Sequence, residues 1–402
     1  MISVEEAERI ILSQKKDFGN ETLELEKALG YILAEDLKTD RDLPAYNKVT
    51  MDGIAINYKA IENGINKFKI IATQAAGEPP LEINNEDECI EIMTGAILPN
   101  NTNTIIRYED LEITDKQAIL GSKVIKNGQN VHLKGTDKKE NEIVVNAGRV
   151  VDAAVIGIAA TVGATKLLVK KQPKIIIIST GNELVEIAET PAPYQIRSSN
   201  NYTIKALLKL QNINATCLHI DDDLDTTIKT IKDCLEKYDI ILLTGGISMG
   251  KFDFVPQALE ACGVHKFFHK VQQRPGKPFW FGKHENNAIV FALPGNPVSV
   301  FLCMIRYVLP WLFKNTGRHA LPILHALLGV DVHFKPSLQY FVQVKVNVNN
   351  KGQLVATPLE GNGSGDFSNI LDTNAFMELP VGKETYTRGD VYRIWQFKPL
   401  FV

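Results

Sequence analysis

The sequence predicts a multidomain α/β protein organised around a doubly wound, three-layer α/β domain with a mostly parallel sheet. Three observations carry that reading. Strand-like and helix-like segments alternate regularly from Lys174 to about residue 318, the flanking regions are short-stranded and β-rich, and the strand ends inside the alternating block open into glycine loops.

The elements follow in chain order. "MISVEEAERIIL" reads as an amphipathic helix with Ser3 as N-cap and Glu6 three residues on, followed by a shorter helix ending near Gly30. Residues 44–140 change texture: short β-rich runs alternate with "GINKF", "AAGEPP" and "ILPNNTN", as in a β domain inserted into another. Residues 141–171 return to helix and strand, so a discontinuous α+β domain I (1–43 and 141–171) is expected around an inserted domain II (44–140). The central α/β domain III spans 172–318. It opens on the buried strand "KIIIIST" and the helix "NNYTIKALLKLQN", then the strand "ATCLHI". The next segment, "DTTIKTIKDCLEKY", places Ile228, Ile231, Leu235 and Tyr238 on one helix face. After the strand "DIILLT" comes a helix, "FVPQALEACG", closed by Gly263. The last strand, "AIVFAL", leads into a helix with Asn296 as cap and Pro297 at its first position. Alternating runs such as "FVQVKVNVN" and "DVYRIWQF" predict a C-terminal β-barrel-like domain IV over 319–402.

Composition narrows the function classes. The 402 residues carry a net charge of −3, so no global basic field points to nucleic acid. Five scattered Cys without a CxxC pair suit reduced thiols. His265 and His269 share a strand face, yet two ligands without others nearby do not make a zinc site. No apolar run is expected to reach the ~18 residues needed to span a bilayer, and the acidic N-terminus is no signal peptide. A cytoplasmic protein that binds neither nucleic acid nor membrane is expected.

The stretch "LLTGGISMGKFDF" (242–254) reads G-x-x-x-x-G-K from Gly245 but puts Phe252 where a P-loop has its metal-binding hydroxyl. Its neighbours supply another way to hold an oxyanion. Ligands of such sheets sit at the carboxyl ends of the strands. Three loops there are rich in Gly and Pro: "STGNELVE", "TGGISMGKFD" and "LPGNPVS". Glycine lets backbone N–H groups approach an anion, although any one such loop is also explained as a tight turn. Acids gather at the same rim: Glu183, the run Asp221–Asp222–Asp223, and Asp253 one residue past Phe252. Packed carboxylates suit a cation, and oxygen ligands beside phosphate suit Mg²⁺, while at least one Asp of the run is expected to cap the next helix. The segment "HKVQQRPGKPFWFG" adds Lys270, Arg274 and Lys277, the last held between Pro275 and Pro278.

These motifs resemble those of the molybdopterin molybdenumtransferase (MoeA) family, related to the E domain of gephyrin. The resemblance runs through "LPAYNKVTMDGIAI", "IMTGAILPNNTNTIIRYED", "GQNVHLKGTD", "ISTGNELVE", "TGGISMGKFDF", "RPGKP" and "LPGNPVS". It implies an elongated four-domain homodimer with active sites shared between subunits. The implied reaction converts adenylylated molybdopterin and molybdate, with Mg²⁺, into molybdenum cofactor and AMP. Further implied partners are the molybdopterin adenylyltransferase and molybdoenzyme chaperones. By motif, the implied catalytic residues are Asp52, Thr94, Glu183, Asp222, Asp253, Lys270 and Arg274, with Glu183, Asp222 and Asp253 as metal ligands. Substrate-binding positions are Gly245, Gly246, Ser248, Gly250, Lys277, Pro278, Pro294, Asn296, Pro297, Ser299 and Ser364. Asp222 is matched by its spacing to Asp253.

The chain departs from the family pattern at several places. Asn182 stands where an Asp is common, Val49 for Ser, Ile54 for an aromatic, His132 for Arg, Arg274 often for Lys, and Gln343 for Arg. Lys335 is the candidate to substitute for that missing arginine. Two rival readings are an adenylyltransferase, which lacks the "TMDG" and terminal β regions, and a non-enzymatic scaffold of the gephyrin type.

Overall fold

The computed structural model describes residues 1–248, 253–318, 322–359 and 367–399. Its contacts divide the chain into two compact units: Met1–Thr22 with Gly30–Ile32 and Leu168–Val402, and Leu23–Leu29 with Leu33–Leu167.

The larger unit is built on a six-stranded sheet. Its elements are β1 (Ile175–Thr180), α1 (Asn200–Lys209), β2 (Ala215–Ile220), α2 (Leu224–Lys237), β3 (Ile240–Thr244), α3 (Val255–Ala261), β4 (His265–His269), β5 (Trp280–Lys283) and β6 (Ile289–Leu293). The strand order is β2-β1-β3-β6-β5-β4. The four strands β2, β1, β3 and β6 run parallel, and β5 and β4 add an antiparallel edge.

Why the strands read as continuous apolar runs is visible in how they pack. Side chains alternate between faces, and both faces are covered. Ile175 and Ile177 of β1 join Leu208 of α1 and Leu312 in one core. Ile176 and Ile178 join Ile231 and Leu235 of α2 and Leu259 of α3 in the other. Burying each such side chain contributes about 1.5–3 kcal/mol. A sheet sandwiched this way leaves only its strand ends for chemistry.

β6 leads into a helical run from Pro297 to Thr316, an α-helix with a π segment at Met304–Val308. The expectation that nothing here is long enough to cross a bilayer needs correcting. Averaged over its length, this 20-residue run is apolar enough, because Arg306 and Lys314 are outweighed by their apolar neighbours. It is nevertheless 83% buried inside the protein, as a core helix is.

The C-terminal strands close on themselves. Gln339–Val348 pairs with both Leu354–Pro358 and Ala375–Leu379, and the ring is completed through Leu324–Leu328 and Val391–Gln396. The short strand Gln273–Arg274 adds to its edge through Gln339–Tyr340. At the N-terminus Ser3 caps the helix Val4–Ser13, its Oγ accepting from Glu6 N at 3.1 Å. The shorter helix expected before Gly30 is instead a strand, Asn20–Glu24, and a 3-10 turn, Leu25–Ala28. Exposure alternates with a period of two over Asn20–Glu24, as in a strand, and the helix formers Leu25, Glu26 and Lys27 make only the single 3-10 turn that follows.

The smaller unit carries a six-stranded mixed sheet. Gly53–Ile56 lies between Thr104–Arg107 and Glu88–Ile92, and Lys67–Gln74, Gln117–Leu120 and Leu111–Thr114 extend it. Gly53 pairs with Ile92 on one side and Arg107 on the other. A Cβ at Gly53 would stand 1.9 Å from the Ile106 carbonyl oxygen, so "MDG" admits only glycine at its third position.

Candidate active site

In the larger unit, the loops after the four parallel strands meet at one edge of the sheet. Gly245 and Gly246, after β3, have φ of +94° and +63°. A Cβ on Gly245 would approach the Thr180 carbonyl oxygen to 2.7 Å, and one on Gly246 would approach the Thr180 Oγ1 to 2.8 Å. Both glycines are therefore needed for the β3 loop to lie against the end of β1. Gly295, after β6, lies in ordinary van der Waals contact with this loop, its Cβ direction 3.7 Å from the Gly245 Cα. Asn200 ties the two loops together: its Nδ2 donates to the Gly295 carbonyl (2.7 Å) and the Thr244 Oγ1 (3.0 Å). His269 of β4 donates from Nε2 to the Ile247 carbonyl at 2.9 Å, so it steadies the same glycine loop.

The acids sort themselves by what surrounds them. Asp223 caps α2, its carboxylate accepting from Thr226 N at 2.8 Å, and hydrogen bonds from the Thr226 hydroxyl and backbone hold its carboxyl below the usual range. Asp222 turns the other way. Its N–H donates to Asn182 Oδ1 (3.0 Å) while its Oδ2 accepts from Asn182 N (3.4 Å), a reciprocal clasp joining the β1 and β2 loops. Burial above all, then the charges of Glu183 and Asp253, holds the Asp222 carboxyl above the usual aspartate range, against the pull of the Asn182 N–H and His219. Glu183, Asp222 and Asp253 thus share one electrostatic neighbourhood although they come from three loops. Among the described residues, no three His, Cys, Asp or Glu side chains close into a ready-made metal cage.

The cations sit on a second rigid turn. Lys270 has φ of +85°, rare for a residue with a Cβ, and its N–H donates to the Phe279 carbonyl at 3.0 Å. Arg274 lies over the Phe334 ring, its guanidinium carbon 5.9 Å from the centroid. The Lys277 carbonyl accepts from both Val271 N and Phe279 N at 3.0 Å, which fixes the backbone that carries this exposed lysine. Gly276 packs on the helix that begins at Pro297. Its Cβ direction lies 3.1 Å from Cys303 Sγ and 3.7 Å from the Ser299 carbonyl, which brings the Lys277–Pro278 turn beside Ser299. Beneath it Gln273, fully buried, donates to the Pro275 and Gly276 carbonyls and accepts from the Tyr307 hydroxyl.

Pro294, Asn296 and Pro297 occupy the turn from β6 into that helix, and Ser248 lies exposed beyond Gly246. Gly250 and Ser364 fall outside the described residues. Gln343 presents a buried Oε1 without a hydrogen-bond partner, while Lys335 is exposed next to Phe334, under Arg274.

In the smaller unit, Asp52 and Thr94 lie at the ends of neighbouring strands. The Thr94 N–H donates to Asp52 Oδ1 at 2.6 Å, and this bond, with that of the Thr94 side chain, holds the Asp52 carboxyl below the usual range. The Asp52 carbonyl also accepts from Tyr108 N at 3.3 Å.

Several residues escaped the reading of the sequence. Asn200, Thr244 and Thr180 organise the rim, and Gln273 with Tyr307 supports the cationic turn. The polar run "RSSNN" before α1 is the only hint of the first group. The cysteines offer no activated nucleophile, because burial pushes thiols up, Cys234 to about 11, Cys89 to about 12 and Cys303 further.

Comparison with known proteins agrees along the whole chain. Residues 2–163 match the MoeA N-terminal region (domain I and II), 176–314 a probable molybdopterin binding domain, and 325–397 the MoeA C-terminal region (domain IV). A molybdopterin molybdenumtransferase of Synechocystis is 36% identical over 98% of this chain and 99% of its own. One from Staphylococcus epidermidis is 32% identical over 97% and 94%. The crystal structure of the molybdopterin biosynthesis MoeA protein from Pyrococcus horikoshii superposes with a TM-score of 0.82 at 26% identity, over 99% of this chain and 100% of that one. The chain belongs to the molybdopterin molybdenumtransferase (MoeA) family.

Proposed function

We propose that the chain is an enzyme of molybdenum cofactor biosynthesis that takes adenylylated molybdopterin and molybdate and yields molybdenum cofactor and AMP. The observation that carries this reading is the coupling of Asp222 to Glu183 and Asp253 beside the glycine loops. A partly desolvated Asp222 that faces the charges of Glu183 and Asp253 beside these loops favours a cation there.

The residues fit Mg²⁺. This ion keeps several waters and takes one or two carboxylates plus substrate phosphates, so it needs no closed protein cage. Glu183, Asp222 and Asp253 would hold it, and it would neutralise charge on the phosphate oxygens. The chain's own groups do the rest. Lys270 and Arg274 balance charge on the pyrophosphate as its bond to AMP breaks, and Gly245 and Gly246 let backbone approach it closely. Lys277 and Ser299 supply donors to the tetrahedral molybdate. Every step is binding and charge stabilisation, in keeping with the inert thiols. We further propose a two-fold dimer in which Asp52 and Thr94 of one subunit complete the site of the other, with the adenylyltransferase and molybdoenzyme chaperones as upstream and downstream partners. AMP release from adenylylated molybdopterin, measured with and without molybdate, tests the reaction. Release that depends on molybdate supports it, and no release under either condition refutes it.

A further inference from the structure

Within the larger unit, a cleft of about 340 Å³ lies between the end of α1, the helical run Pro297–Thr316 and the strand Val391–Gln396. Its walls are largely apolar, with Leu207, Ile305, Phe313, Leu324, Trp395 and Phe397 among them. Leu207, Ile305, Phe313 and Trp395 are each no more than 6% exposed. Protein interiors are close-packed, so a void of this size bounded by such side chains is an exception, and its walls give water few partners. It has instead the size and lining of a small-molecule site. Leu207 is about two turns of α1, or about 10 Å, from Asn200, which sets the cleft apart from the rim of the parallel sheet.

The charge in the lining says what kind of molecule fits. Arg393, half-buried, lays its guanidinium on Trp395, 3.9 Å from the ring centroid. Among the described residues its side chain makes no ion pair and no hydrogen bond. Glu378, its partner on the neighbouring strand, spends its carboxylate on Trp395 Nε1 at 2.6 Å, on Gln339 and on the buried Arg306 at 3.7 Å. The Trp395 ring covers a face of the guanidinium and leaves its N–H edges open, the geometry that takes a carboxylate in a fork. Burial above all, then the Arg306 charge, holds Arg393 below the usual arginine range, against the pull of Glu378 and Glu8. An anion on the open edge relieves both.

The other polar side chains of the lining are engaged. Lys398 Nζ donates to the Ile370 and Leu371 carbonyls, Gln396 Nε2 donates to the Lys398 carbonyl, and Gln211 Oε1 accepts from Arg318. One open guanidinium in an apolar cleft matches one negative charge on an apolar body. A phosphate monoester or a dicarboxylate would bring a second charge, which the committed Lys398 does not meet.

We propose that this cleft binds an apolar monocarboxylate of the medium-chain fatty acid class, with its carboxylate on Arg393 and its hydrocarbon chain against Leu207, Ile305 and Phe313. The site is separate from the reaction inferred above and does not depend on it.

The test titrates decanoate and decan-1-ol by calorimetry into the 402-residue chain, its Arg393→Gln and Arg393→Lys variants, and a chain lacking residues 400–402. Wild type should bind one decanoate per chain about tenfold or more tighter than decanol, which fills the same space without the charge. Arg393→Gln should bring decanoate down to the affinity of decanol and leave decanol nearly unchanged. Arg393→Lys keeps the charge and loses the fork, so its preference should fall between the two. Absence of saturable decanoate binding to wild type, or decanol bound as tightly as decanoate, overturns the proposal. So does an undiminished preference in both variants. An Arg393→Gln chain that loses both ligands together would show a structural role for the arginine and overturn it as well. Decanoate bound only by the chain lacking 400–402 would give the cleft to those residues. Binding that changes the sedimented mass would give it to a second copy of the chain, and either result refutes the fatty acid site.

Discussion

Asp52 and Asp222 are the same side chain in opposite situations. Asp52, in the smaller unit, receives the Thr94 N–H at 2.6 Å, so its negative charge is stabilised by the protein before any ligand arrives. Asp222, on the rim of the parallel sheet, is partly desolvated and faces two further carboxylates, so its charge is opposed by its surroundings. A carboxylate of the first kind is a fixed acceptor that holds its place. One of the second kind lowers the stability of the free protein and gains from a cation. Each unit therefore presents its own kind of carboxylate: a preorganised anion in the smaller, an unmet charge demand in the larger.

The harshest way to break the comparison is to remove each role and recombine them. Asp52→Asn and Asp253→Asn should each lose about a hundredfold or more in AMP release, with folded structure retained by circular dichroism. When the two variants are mixed and exchange subunits, about half the dimers are mixed and each has one intact site, so about a quarter of wild-type activity should return. Exchange proved by mass spectrometry with no recovery would mean that each subunit works alone.

A smaller effect is expected on the cationic turn. Lys277→Ala should weaken molybdate binding about tenfold, equivalent to losing one charge-assisted contact of roughly 1.5–3 kcal/mol, and leave AMP binding nearly unchanged. Equal losses for both ligands would assign Lys277 to the phosphates.

The smallest effect is on stability, and its sign is the informative part. Asp52 has a depressed carboxyl, so its contribution is present at neutral pH and is lost as pH falls through the carboxylate range, about pH 4 and below. Asp222 has a raised one, so its ionisation costs the fold at neutral pH and the cost is relieved as pH falls through its elevated value. At neutral pH and without Mg²⁺, Asp52→Asn should melt below wild type and Asp222→Asn at or above it. Melting curves in the opposite order would undo the contrast.

Much of this was legible from residue order alone. The doubly wound sheet follows from unbroken apolar strands and 3.6-residue helices, and the gathering of glycine loops at one sheet edge follows from their places at the strand ends. What stayed hidden depends on how loops turn. Asp221, Asp222 and Asp223 are chemically identical, and only the backbone shows that Asp223 is spent on a helix cap while Asp222 faces Glu183 and Asp253. Asn182 looks like the loss of an acid, yet its Oδ1 accepts from the Asp222 N–H while its backbone N–H donates to the Asp222 carboxylate, without adding charge. The segment before Gly30 misled for a different reason: its run of helix formers, Leu25–Ala28, is long enough for only one 3-10 turn after the strand Asn20–Glu24.

The adjacent aspartates also provide the most direct test of the central claim, that the rim of the parallel sheet is built to hold a cation. Mg²⁺ is titrated by calorimetry into the protein with AMP present, comparing wild type, Asp222→Asn and Asp223→Asn. Each variant loses the same charge at neighbouring positions, and Asn remains a good helix cap. The account predicts that Asp223→Asn binds Mg²⁺ like wild type while Asp222→Asn loses roughly tenfold or more in affinity. Equal affinity in the two variants would contradict it.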